Sequence, residues 1–176
     1  MTIALSPHND DETLFAAFTL MREKPLVIVC TDGFIQGNRG DPITWLQRRN
    51  ESLAAAKILG VEVIFLGIKD TELTYENLKE KLLYFKPDKV YAPAVQGGNA
   101  QHDLVGQVAT SLFPNVIQYT TYTKTELWTK GSIEIIPTSQ ELNLKHQALQ
   151  CYQSQLNLAA TRPHFEAVLG RSEWYV

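Results

Sequence analysis

Between residues 6 and 13 the chain reads Ser6-Pro7-His8-Asn9-Asp10-Asp11-Glu12-Thr13, which places an imidazole and three carboxylates in one short segment. Like charges packed this closely repel one another unless a cation sits among them, and a divalent metal answers that cost. His8 and one aspartate can act as ligands, leaving the other aspartate as a base for a metal-activated water. A competing reading needs no metal. Acidic residues are common at helix N-termini, where they accept from free N–H groups and meet the positive end of the helix dipole. Asp10 as N-cap, with Asp11 and Glu12 in the first turn, satisfies that pattern. The histidine just ahead of the acids, and a second histidine far along the chain, favour the metal.

There are four histidines. His102 follows Gln96-Gly97-Gly98-Asn99-Ala100-Gln101, a loop of the kind that positions functional groups. His146 stands beside Lys145 in a helical stretch and reads as a surface or half-buried residue. His164, after Arg162-Pro163, is either a surface residue or one that reaches back to the site. His8, Asp11 and His102 together make a two-histidine, one-carboxylate set with open positions, the ligand count of a catalytic zinc. Asp10, adjacent to a ligand but not itself one, can take the proton of a bound water. Zn2+ is the expected cofactor, and the same ligands suit non-haem Fe2+.

These residues are distant in sequence, so the fold must bring them together. Ile3–Leu5 reads as a strand and Glu12–Met21 as a helix, with the hydrophobic period switching across the His8–Asp11 turn. Leu26–Cys30 is a continuous apolar run typical of a buried parallel strand. A polar loop from Asp32 to Asp41 precedes a helix over Thr44–Leu59, closed by Gly60. Strands follow at Val61–Leu66, Lys89–Ala92 and Val116–Tyr119, with helices at Tyr75–Phe85 and His102–Leu112. This alternation predicts a parallel sheet covered by helices on both faces, in a single domain over residues 1–176. In such sheets sites form beyond the carboxyl ends of the strands, where the strand order reverses. If the first strand lies beside the fourth, the His8–Asp11 turn faces the Pro93–Gln101 loop and His102. Further on, Thr120–Thr125 and Ile133–Ile136 read as strands and Ser139–Gln155 as one helix. The tail from Ala159 reads as loop, with Trp174 and Tyr175 as packing residues.

Composition narrows the classes. Hydrophobic content of 44% with 20% charged residues is ordinary for a globular chain. A net charge of −3 without a polybasic segment argues against nucleic acid or an anionic membrane as partner. No apolar run approaches the ~20 residues of a membrane helix, and the N-terminus has no secretory pattern. Cys30 and Cys151 do not form a disulfide framework. A cytoplasmic location is expected. A nucleotide-binding reading fails because neither G-x-G-x-x-G after the first strand nor a P-loop is present.

Pro7-His8-Asn9-Asp10-Asp11-Glu12 is similar to the P-H-x-D-D-E signature of the PIG-L/LmbE-like zinc-dependent N-deacetylases. Arg48-x-x-Glu51-x-x-x-Ala55-x-x-x-Leu59-Gly60 resembles a helix motif of that family, and His102-Asp103-Leu104-Val105-Gly106 resembles the region of its last zinc-binding histidine. Lys145-x-x-Ala148-Leu149-x-x-Tyr152-x-Ser154-Gln155 resembles its C-terminal helix motif. The resemblance spans most of the chain. It implies an α/β, Rossmann-like three-layer sandwich that removes N-acyl groups, usually acetyl, from amino sugars. It also implies zinc on His8, Asp11 and His102, Asp10 as general base, and substrate contact by Arg48. Arg48 and Glu51, three apart on one helix, can instead pair with each other.

One departure stands out. The family commonly has H-x-D-H where this chain has Asn99-Ala100-Gln101-His102, so a helper imidazole is replaced by Asn99 and its orienting aspartate by Gln101. An asparagine amide can donate to an oxyanion but cannot deliver a proton. Either Asp10 carries both proton transfers, or His164 supplies the imidazole, or activity is weak. The expected reaction is therefore hydrolysis of an N-acetyl amide on a small amino-sugar substrate. The catalytic residues are Asp10, Asn99 and His164; the ligands are His8, Asp11 and His102; substrate contacts come from Arg48, Asn38 and Arg39. The alternatives are a metal-containing sugar-binding protein that has lost turnover, and a non-haem Fe2+ enzyme. Asp32-Gly33 reads as ordinary turn chemistry, and Trp45 reads as core in preference to a sugar platform. A compact chain offers little to wall a pocket, which makes a homo-oligomer completing it the expected assembly.

Overall fold

The computed structural model describes residues 1–33 and 43–176. Seven strands form one mixed sheet in the order β3-β2-β1-β4-β5-β7-β6. The first four are β1 (Thr2–Ser6), β2 (Leu26–Thr31), β3 (Val63–Ile68) and β4 (Lys89–Pro93); β5 (Val116–Tyr119), β6 (Ile133–Ile135) and β7 (Glu173–Tyr175) complete it. β1 lies at the centre, with Ile3 paired in parallel to Leu26 on one side and Val90 on the other. The chain thus runs outward to β3, then returns past β1 to β4. That reversal beside β1 is the switch point at which a crevice opens.

Alternation along the central strands builds two cores. Ala4, Val27 and Val29 face a layer containing α1 (Asp11–Phe15), α2 (Ala17–Glu23), α3 (Trp45–Leu59), α6 (Ser139–Leu149) and α8 (Arg162–Val168). Ile3, Leu5, Ile28 and Cys30 face α4 (Tyr75–Leu82) and α5 (Ala100–Leu112). Fully buried side chains such as Ile3, Leu5 and Ile28 each contribute about 1.5–3 kcal/mol. The continuous apolar runs of β1 and β2 follow from burial on both faces. α3 begins where Thr44 accepts from the Gln47 N–H at 3.1 Å and ends at Gly60, whose φ of 70° is left-handed.

Five expectations are corrected. The helix expected over Glu12–Met21 is two helices broken at Ala16 (φ −136°). The break is held from far away: Lys145 Nζ donates to the Leu14 carbonyl at 2.7 Å and to Glu173 Oε1 at 2.8 Å, while Glu173 Oε2 accepts from the Phe18 N–H at 3.0 Å. The helix expected over Ser139–Gln155 stops at Leu149, and a short α7 (Gln153–Leu156) restarts after Tyr152 turns inward. Glu51 drives the restart by accepting from the Ser154 N–H at 2.8 Å and its hydroxyl at 2.6 Å. Thr120–Thr125 is not a strand, and the tail is not loop alone. β7 takes the position beside β5, antiparallel through Tyr119 and Tyr175, and α8 precedes it. Finally, Trp45 is 52% exposed and is not core. Tyr175 is a packing residue as expected, its hydroxyl donating to Thr19 Oγ1 at 2.7 Å. No helix among the described residues is long and apolar enough to cross a membrane.

Candidate metal centre

The turn after β1 folds His8 back on Asp11: the His8 N–H donates to Asp11 Oδ2 at 2.9 Å, and His8 Nδ1 lies 2.9 Å from the same oxygen. Asp10, although it occupies the N-cap position of α1, makes no capping bond with its side chain. The capping reading therefore fails for Asp10, and its carboxylate is left for the cavity. Glu12 turns into the core instead, where Ser6 Oγ lies 2.6 Å from Oε2 and the Tyr152 hydroxyl 3.0 Å from Oε1. Burial raises its pKa to about 7.

His102 comes from the first turn of α5, which starts where Asn99 Oδ1 accepts from the Gln101 N–H at 2.8 Å. α5 sits hard against the end of β4, because a Cβ on Gly106 would meet the Pro93 carbonyl oxygen at 2.4 Å. That glycine, one turn on from His102, lets the imidazole descend to the crevice floor at 1% exposure. His102 Nε2 lies 3.1 Å from Asp11 Oδ2 and 3.3 Å from His8 Nδ1. Three donor atoms thus form a triangle with edges of 2.9, 3.1 and 3.3 Å.

Two imidazole nitrogens and a carboxylate oxygen at that spacing fit one divalent ion with bonds of about 2.0–2.2 Å. The donor set is that of Zn2+ or Fe2+, and it leaves positions open. Charge supports the fit. Burial opposes ionisation of Asp11, yet the flanking His102 and His8 hold its carboxyl well below the usual carboxylate range. Burial likewise works against protonated His8, but Asp11 outweighs it and raises the pKa to about 9. A cation entering the triangle takes the place of that proton.

The triad opens into a cavity of about 230 Å³ lined by His8, Asp10 and Asp11, with Arg48, Asn99 and His164 on its walls. Six of the nine residues expected at the site therefore line one space, with His102 packed beside it. Asn38 and Arg39 lie outside the described residues. Arg48, 2% exposed, donates from Nη2 to Asp10 Oδ2 at 3.1 Å and keeps Nη1 3.7 Å from Glu51 Oε2. Its Nε and Nη1 have no hydrogen-bond partner among the described residues. Asn99 donates from Nδ2 to the Tyr122 hydroxyl at 3.0 Å. The Tyr122 ring stands between His102 and His164, with centroids 5.0 and 4.5 Å away. His164 is half-buried and its Nδ1 has no partner among the described residues; burial lowers its pKa. His146 is exposed on α6, as expected.

Two participants escape the sequence reading, and a third was named there only as part of a turn. Tyr122 falls in a stretch read as strand, and Gln101 registers only as a departure from the family pattern. Gly33 (φ +65°) closes the wall against Asn9 Oδ1, which a Cβ there would meet at 2.3 Å. Only for Gly33 was there a local signal, a glycine in the turn just after β2.

Comparison with known proteins follows the same lines. Solved structures of similar fold include an N,N'-diacetylchitobiose deacetylase from Pyrococcus horikoshii, with TM-score 0.75 and 18% identity over 99% of this chain and 82% of that one. A deacetylase of the teicoplanin biosynthetic pathway aligns with TM-score 0.73 and 19% identity, covering 99% and 96% of the two chains. The 4-carboxy-2-hydroxymuconate hydratase of Pseudomonas putida aligns with TM-score 0.73 and 16% identity, covering 99% and 94%. At these identities the likeness is one of fold, and the fold serves more than one reaction. No curated protein matches. Residues 3–113 match the family described as PIG-L, GlcNAc-PI de-N-acetylase. With more than half of its length so matched and a His-His-Asp triad at the switch point, the chain belongs to the PIG-L/LmbE-like deacetylase family.

Proposed function

We propose that the protein is a zinc-dependent amidohydrolase that removes an N-acetyl, or other N-acyl, group from an amino sugar or its conjugate. The observation that carries this reading is the convergence of His8, Asp11 and His102 on one point, with the uncapped Asp10 carboxylate in the same cavity. When bound there, a divalent cation polarises a substrate carbonyl and brings the pKa of a water toward neutrality. Asp10 takes the proton of the attacking water as the acyl carbon gains its oxygen. Protonated Asp10 then returns that proton to the nitrogen as the amide C–N bond breaks. Arg48 Nη2 steadies the Asp10 carboxylate, and Arg48, on the cavity wall, is assigned to substrate contact. Asn99 and His164 donate to the oxygen that gains charge. His164, its pKa lowered by burial, is neutral at pH 7 and acts as a donor rather than as a charged acid.

The cavity supports a small substrate group. At about 230 Å³ it is below the roughly 300–1,000 Å³ of drug-sized sites, so it suits one sugar, with anything attached to it outside. Asn38 and Arg39, outside the described residues, are assigned to substrate contact. A partner copy would complete the pocket in a homo-oligomer; full activity of a monomer removes that element.

A second reading, a metal-containing sugar-binding protein without turnover, is favoured by Asn99, whose amide is already engaged by Gln101 and Tyr122. The test pairs wild type with Asp10→Asn, both zinc-loaded with metal content measured, on a panel of N-acetylglucosamine derivatives. Released acetate from wild type and a loss of about 10²–10⁴-fold in the variant support hydrolysis. Stoichiometric zinc with no acetate from any substrate supports the binding protein. Tightly held iron with oxygen consumption supports the Fe2+ alternative.

A further inference from the structure

We propose that Gln101 positions the metal ligand His8 by fixing its tautomer and ring orientation, a role resting on the metal-site reading above. Gln101 Nε2 donates to the Asp70 carbonyl at 2.8 Å, and Gln101 Oε1 lies 2.5 Å from His8 Nε2. The logic runs in one direction. A backbone carbonyl can only accept, so the amide NH2 of Gln101 must face Asp70. Its oxygen must then face His8, and an amide oxygen can only accept, so His8 Nε2 carries a proton. A neutral imidazole protonated at Nε2 presents its Nδ1 lone pair. Nδ1 is the atom 2.9 Å from Asp11 Oδ2 and 3.3 Å from His102 Nε2.

The anchor is itself anchored. Asp70 opens a 3-10 turn (Asp70–Glu72) after β3, and its Oδ1 accepts from the Gly33 N–H at 3.2 Å. Loops following β2, β3 and β4 thereby converge on the ring supplied by the turn after β1. Metal-bound histidines generally need such an outer partner, and its loss costs about 10–100-fold in metal affinity. The chemistry differs from a carboxylate partner. An amide adds no charge at the outer nitrogen of His8, so orientation is retained without the added basicity of a charged acceptor. Gln101 is thus not a lost helper for residue 99 but a support for a ligand in the turn after β1.

The experiment measures zinc affinity of the full chain by competition with a chelating indicator, in wild type, Gln101→Met and Gln101→Glu. Gln101→Met, of similar length but without the acceptor, should bind zinc about 10–100-fold more weakly, with the thermal midpoint of the metal-free protein unchanged. Gln101→Glu gives up the donation to Asp70 but keeps a stronger, charged acceptor for His8 Nε2, and should stay within a few-fold of wild type. In the zinc-loaded wild type, 15N NMR should show His8 protonated at Nε2 and coordinated through Nδ1. Wild-type affinity in Gln101→Met, equal weakening in both variants, or coordination of His8 through Nε2 each overturns the proposal. A wild type that takes up no zinc at all overturns the metal reading instead.

Discussion

The chain divides into two regions that use polar residues in opposite ways. From β1 to α5, polar groups are gathered at the strand ends and left with open valences: Asp10 without a cap, Arg48 with unpartnered donors, and three ligand atoms around one point. From β5 onward, most buried polar groups are closed on one another or on the first region, with His164 Nδ1 and Trp174 Nε1 the exceptions among the described residues. Lys145 and Glu173 hold the break between α1 and α2, Tyr152 bonds Glu12, and Ser154 bonds Glu51 behind Arg48. The first region supplies the His8-Asp11-His102 cluster, and the second packs behind it while adding Tyr122 and His164 to the cavity wall. The family match stops at residue 113, whereas the fold likeness to solved deacetylases extends over 99% of the chain. That difference fits a rear region whose job is support.

The largest test of this contrast removes an open-valence residue. His102→Ala should abolish stoichiometric zinc binding, and with it acetate release, while leaving the fold intact by circular dichroism. Retained zinc would place the ligands elsewhere. Next, Lys145→Met should destabilise the protein by about 3–5 kcal/mol in urea unfolding, because it leaves the Glu173 carboxylate buried without its cation. Zinc affinity should fall with it if the helix break sets Asp11. An unchanged affinity would separate the two regions. Glu51→Gln should lose about 1–2 kcal/mol through the bonds to Ser154 and lower kcat more than it raises KM, since Arg48 loses its rear support.

Two weaker effects depend on pH. Protonated His8 must give up a proton to bind metal, so zinc affinity should weaken as pH is lowered below the value of about 9; an affinity flat from pH 9 to 6 would contradict this. Arg22, on α2, bonds Glu141 at 2.6 and 2.9 Å and helps hold its pKa at about 2. A depressed carboxyl stabilises above its unfolded value, about 4.3, and that stability is lost as pH falls through about 2. Arg22→Ala, at a half-exposed pair joining the two regions, should cost about 0.2–1 kcal/mol at pH 7 and less once the pH is well below the Glu141 value of about 2, where only the bond to the Ile136 carbonyl is lost. A cost that does not shrink on acidification would assign the effect to that bond and to packing.

How much was legible follows the same division. The ligands were readable because His8, Asp10 and Asp11 lie within one turn and His102 starts a helix after a glycine loop. Alternating strands and helices predicted the parallel sheet, while the adjacency of β1 and β4 entered only as a condition, which the pairing of Ile3 with Val90 meets. Tyr122 was hidden because its residue type in a threonine-rich stretch reads as strand. β7 was hidden because a three-residue strand has no measurable period; pairing with β5 and β6 creates it. The helix break at Ala16 has no proline or glycine to announce it.

By itself, then, the order of residues determined the strands of the parallel core, the turn that carries His8 and Asp11, and a donor set that fits a divalent metal. These are properties of spacing and hydrophobic period over a few residues. Tertiary structure alone decided which nitrogen of His8 faces Asp11 and His102, that Asp10 is not a cap, and that Lys145, Glu51 and Gln101 bond residues on other elements. Each of those depends on a polar partner far away in sequence, and a buried polar group takes whichever partner the packing brings within about 3 Å.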